Sequence, residues 1–86
     1  MLTQTHRNAI MTYIKNRRKG TRFTLSTALN DCGWYNWPEG DRRQIGKELY
    51  DEVEGQPNGM WANLIKAWKD EDGQENDNNG KTYQIL

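Results

Sequence analysis

Trp61-Ala62-Asn63-Leu64-Ile65-Lys66-Ala67-Trp68-Lys69 fits two periods at once. Trp61, Leu64, Ile65 and Trp68 recur as i, i+3, i+4, i+7, the spacing of one helical face. Trp61, Ile65 and Lys69, or Leu64 and Trp68, equally fit the two-residue alternation of a strand. The flanking residues decide. Downstream, the run from Asp70 to Gly80 contains no apolar residue and predicts an exposed, flexible acidic loop over 70–80. The closing Lys81-Thr82-Tyr83-Gln84-Ile85-Leu86 alternates, with Tyr83 and Ile85 on one side, and predicts a strand. Such a strand needs a partner for its backbone groups, and the stretch Leu64 to Lys69 is the nearest. The ambiguous segment therefore reads as a strand, closing a C-terminal β-hairpin with the acidic loop at its tip.

Upstream the pattern is mainly helical. From Thr3 or Thr5, either of which can cap, Ala9, Ile10, Tyr13 and Ile14 recur at helical spacing, with Leu2 and His6 on the same side. Asn16-Arg17-Arg18-Lys19 then reads as a basic last turn ended by Gly20. Thr21 to Leu25 alternates and predicts a short strand with Phe23 and Leu25 on one side, and Ser26 reads as the N-cap of a brief helix through Asp31. Cys32-Gly33 stops that helix, and Pro38 biases Trp37 toward extended backbone. A third helix is predicted from Asp41, with Gln44 completing a capping box. Ile45, Leu49 and Val53 form its buried stripe, and Gly55 and Pro57 its end. Gly46 inside it signals either a close backbone approach or an exposed position.

Composition bounds the rest. Eighty-six residues support one domain, because two cores would leave each half near the roughly 40-residue limit at which disulfides or metals are usually needed. The chain is 34% hydrophobic with a mean hydropathy of -1.14, so its surface is very polar. Five of nine aromatic residues lie in two clusters, Trp34-Tyr35-Trp37 and Trp61-Trp68, and supply core area that a disordered chain lacks. Trp61 and Trp68 are assigned to the core, the first cluster to its edge. One cysteine, Cys32, excludes an internal disulfide, and with one histidine it excludes an intrachain His/Cys zinc site. Cys32 reads as a buried thiol and His6 as a packed histidine. The acidic run lacks the spacing of a twelve-residue calcium loop, and no phosphate loop or nucleophile elbow occurs. A non-enzymatic, cofactor-free, cytoplasmic protein without a membrane segment is expected.

The zero net charge conceals a division. Through Lys47 nine basic residues face three acidic ones, a surplus of six; from Glu48 onward three lysines face nine acids, a deficit of six. Such asymmetry points to a basic half facing nucleic acid or to a charged partner.

Helix, strand, short helix, longer helix and hairpin is the order of a winged helix-turn-helix, and the chain resembles one over nearly its whole length. The sequence Gly20-Thr21-Arg22-Phe23-Thr24-Leu25, a tryptophan about nine residues later, and Gly40-Asp41-Arg42-Arg43-Gln44-Ile45-Gly46-Lys47-Glu48-Leu49-Tyr50 are also similar to a family of short bacterial and phage proteins known only as a domain of unknown function. The resemblance spans roughly Lys19 to Val53. It implies an α+β, winged helix-turn-helix-like fold of three helices, a short strand and a C-terminal hairpin, and a bacterial or phage origin. The connector Cys32 to Gly40 is longer than the three or four residues of a compact helix-turn-helix.

In such a fold the third helix is the recognition element. Arg42, Arg43, Gln44 and Lys47 would read base edges and neutralise phosphates, clear of the Ile45 stripe. Arg17, Arg18, Lys19 and Arg22 would add phosphate contacts from beside the same groove. The alternative at these positions is ion pairing of Arg42 and Arg43 with Glu39, Asp51 or Glu54 on an exposed helix. Two functions follow: a small DNA-binding or regulatory protein acting on duplex DNA, with a homodimer as one route to specificity, or a protein-binding adaptor or phage-encoded inhibitor of a host enzyme. The second would dock Asp70, Glu71, Asp72, Glu75 and Asp77 in a cationic groove; phosphate would repel that acidic tip, so either the wing points away from the duplex or the partner is not DNA.

Overall fold

A computed structural model describes residues 1–56, 58–68 and 82–86. The expected acidic loop, Pro57, Lys69 and Lys81 lie outside the described residues. The architecture is mixed α+β: helices α1 (Gln4–Lys15), α2 (Leu25–Ala28) and α3 (Glu39–Gly55), and strands β1 (Arg22–Thr24), β2 (Ile65–Ala67) and β3 (Thr82–Ile85). The strands form one antiparallel sheet in the order β1-β3-β2.

Thr3 caps α1. Its hydroxyl accepts from the His6 N–H while its own N–H donates to His6 Nδ1, both at 3.2 Å, so histidine takes the part usually played by glutamate in a capping box. The helix ends at Lys15, four residues before the expected Lys19. Asn16 marks the stop: its side-chain amide donates to the Thr12 carbonyl at 3.0 Å while its backbone N–H donates to the Tyr13 carbonyl at 3.2 Å. Arg17, Arg18 and Lys19 thus lie in a turn rather than in the helix. Gly20 follows at φ 87°, a left-handed conformation, and its N–H donates to the Ile85 carbonyl at 2.7 Å.

Two helix starts differ from the sequence reading. α2 begins at Leu25 with Thr24 as its cap and ends at Ala28, short of Asp31; the Ser26 hydroxyl lies 2.7 Å from the Thr24 hydroxyl instead of accepting an orphan amide. Two single 3-10 turns, Asn30–Cys32 and Trp34–Asn36, follow, hinged at Gly33 with φ 86°. They bury Trp34 in the core, half-bury Trp37 and leave Tyr35 exposed. α3 begins at Glu39, two residues before Asp41, and makes no side-chain cap; Pro38 occupies the N-cap with φ preset near helical values, and Glu39 and Asp41 meet the positive end of the helix dipole. Gly46 is half-buried, and no heavy atom of a neighbouring element lies within 4 Å of where a Cβ would stand, so the close backbone approach is not found.

The two periods of Trp61 to Lys69 prove to be consecutive. Residues 61–64 make one turn, with Ile65 N–H donating to the Trp61 carbonyl and Asn63 at φ 64°, and extended backbone begins only at Ile65. The expected strand is accordingly shorter than Leu64 to Lys69. Ile65 pairs with Ile85, and Phe23 with Tyr83. All four are buried on the inner face, where they meet Ile10, Ile14, Leu29, Trp34, Ile45, Leu49 and Trp61. Trp61 is 1% exposed, as a core residue should be. Trp68 is not in that core: alternation turns it to the outer face, half-buried.

Candidate nucleic-acid interface

Along α3, side chains recur on one ridge every fourth residue, so Arg43 and Lys47 stand together on the surface opposite Ile45 and Leu49. Arg43, Gln44 and Lys47 are exposed. Arg42 departs from expectation: three residues before Ile45, it shares the inward flank, is half-buried, and its Nε is buried without a hydrogen-bond partner. The anticipated ion pairing occurs in part. Arg43 donates to Glu39 at 2.8 Å, an exposed pair one turn apart that contributes only about 0.3–0.5 kcal/mol and exchanges readily for phosphate.

Two acids of α3 are turned away from this surface. Glu48 Oε2 accepts from the Leu2 N–H at 2.6 Å and lies 4.0 Å from the N-terminal ammonium. Glu52 takes both Arg7 nitrogens, Nε at 3.1 Å and Nη2 at 2.5 Å, and also accepts from the Trp61 indole N–H at 3.0 Å. The Arg7 hydrogen bonds, aided by the Trp61 bond and the Arg7 charge, hold the Glu52 carboxyl below its usual range against the opposing effect of burial. The same carboxylate raises Arg7, so the pair stays charged. One positive residue of the front half is therefore consumed by the back half, and the exposed carboxylates left on α3 are Glu39, Asp41, Asp51 and Glu54.

Arg17, Arg18, Lys19 and Arg22 are placed elsewhere. The first three lie in the α1–β1 turn, whose Gly20 is tied to β3, and Arg22 lies on the outer face of the sheet. That face and the outer ridge of α3 belong to different layers, and both look away from the shared core. The eight candidates fall into two groups, four on α3 and four on the α1–β1 turn and β1. Arg17 lies over the Tyr13 ring at 4.4 Å and Arg22 over the Trp68 ring at 4.6 Å. The row Arg22, Gln84, Lys66 crosses all three strands on this outer face. Lys66, Trp68 and Gln84 were not legible as site residues, because only the strand register aligns them with Arg22.

His6 is packed as expected, 5.0 Å from the Trp37 ring, while Cys32 is half-buried against the core rather than fully enclosed. A shallow depression of about 260 Å³ is lined by Met1, His6, Trp37, Asp41 and Ile45. Among the described residues, no group of three or more His, Cys, Asp or Glu side chains could hold a metal ion, and no helix is long and apolar enough to cross a membrane. Asp70, Glu71, Asp72, Glu75 and Asp77, the alternative partner site, lie outside the described residues. Compared with protein-family models, with curated proteins and with solved structures, the chain matches none.

Proposed function

We propose that this chain is a winged helix-turn-helix protein of bacterial or phage origin that binds duplex DNA as a small regulator, with α3 as its recognition helix. The order helix, strand, helix, helix, hairpin and the sheet order β1-β3-β2 support that assignment. One observation carries the reading of α3: its first half presents Arg43, Gln44 and Lys47 to solvent, while Glu48 and Glu52 are turned inward onto the N-terminus, Arg7 and Trp61. Recognition helices contact base edges with their N-terminal residues, arginine and lysine pairing with guanine and glutamine with adenine. Glu39 is a weak competitor for Arg43, because an exposed ion pair costs little to break.

The test is a mobility-shift assay at low salt on mixed-sequence duplex. Arg43→Glu with Lys47→Glu abolishes the shifted band on this reading, and the wild-type band fades steeply as salt rises. A wild-type chain that shifts no duplex at low salt contradicts it.

A further inference from the structure

The sheet carries a surface that the recognition-helix reading does not use. The first 30 residues contain no aspartate or glutamate, and neither do the described residues 58–68 and 82–86. The described residues of the α1–β1 turn and of the outer sheet face come from these segments. They carry Lys15 at the end of α1, Arg17, Arg18 and Lys19 in the turn, and Arg22 and Lys66 on the sheet, none of which forms an ion pair with any described residue. This contrasts with α3, whose exposed cations share the helix with Glu39, Asp41, Asp51 and Glu54.

The face is also partly organised. β3 lies between β1 and β2, so the contact of Arg22 with Trp68 spans the sheet from edge to edge. Stacking on an indole restrains a guanidinium that otherwise loses side-chain entropy on binding, while its N–H donors, which point outward in the guanidinium plane, stay available to phosphate oxygens. Lys66 and Gln84 continue the same row, and Gln84 is steadied by donating to the Gly20 carbonyl at 3.4 Å. One face of the Trp68 ring is already occupied by Arg22, so base stacking there is disfavoured and the chemistry is that of a backbone contact.

We propose that the outer face of the sheet and the adjoining turn form a second nucleic-acid surface, independent of α3, which binds the phosphodiester backbone of duplex DNA without reading sequence. A chain with both surfaces bridges two duplex segments.

The experiment measures the slope of log affinity against log salt on a short mixed-sequence duplex. Each phosphate contact contributes a slope of about -0.9, so Arg22→Gln with Lys66→Gln should flatten it by about 1.8. Both side chains are exposed, and an unchanged melting temperature controls for folding. Energy transfer between donor-labelled and acceptor-labelled duplexes reads bridging, which this double variant should lose while single-duplex binding through α3 persists. Arg43→Gln with Lys47→Gln should also end bridging, yet leave the sheet-face contribution to the slope. An unchanged slope in the Arg22/Lys66 variant overturns the proposal whatever α3 does. Loss of binding to anionic vesicles with no change on duplex also overturns it, in favour of a lipid surface. If the slope falls with the sheet variant but not with the α3 variant, this surface stands and the recognition-helix reading fails.

Discussion

Arg7 grips Glu52 with two N–H donors across 45 residues of sequence, joining the first turn of α1 to the last turns of α3. The same carboxylate accepts from the Trp61 indole, so one side chain anchors both helices and the segment leading into β2. The charge division of the sequence thus does two jobs. Part of it is spent internally as a structural tie, and the rest stays on the surface.

That tie sets a pH dependence. Because the Glu52 carboxyl is held below its usual range in the folded chain, it contributes stability that is fully present above the unfolded value, about pH 4.3, and is lost as pH falls through the lower folded value. Glu52→Gln removes the ion pair and should cost about 1–3 kcal/mol at neutral pH. Thermal melts of both proteins across pH 7 to 3 check this, and the gap between them should narrow on the acid side.

Gly20 and Gly46 answer differently to alanine. Gly46→Ala, in a helix with open space around the new Cβ, should stabilise by roughly 0.5–1 kcal/mol. Gly20→Ala also meets no atom within 4 Å, yet at φ 87° it should destabilise by about 1–2 kcal/mol through the backbone alone. Denaturant midpoints of the two variants should move in opposite directions.

Neutralising Asp70, Glu71, Asp72, Glu75 and Asp77 to their amides separates the two functional classes. On the DNA reading the chain gains five units of positive charge, and duplex affinity rises at low salt. On the adaptor or inhibitor reading the same variant loses its protein partner in a pull-down, and Arg43→Glu changes nothing.

The elements were largely legible in the sequence and their ends were not. Ile45 and Leu49 four apart, and Tyr83 and Ile85 two apart, announce a buried stripe and a half-buried strand, and both are found. The end of α1 was hidden because basic residues and a glycine imitate a helix terminus, whereas a single side-chain bond from Asn16 to Thr12 is associated with the earlier stop. Trp61 to Trp68 looked ambiguous because it holds one turn and then one strand. The α3 candidates could be placed by helical spacing alone, and the same spacing sets Arg42, three residues before Ile45, on the inward flank. Arg22, Lys66 and Trp68 could not be placed together, because strand register is a tertiary fact that composition and periodicity do not carry.

Backbone amide shifts recorded while a short duplex is titrated into isotope-labelled protein report contact residue by residue. If α3 is the reading element, the largest perturbations fall on the turns bearing Arg43, Gln44 and Lys47. Perturbations that leave those turns untouched, or no perturbation at low salt, contradict the account.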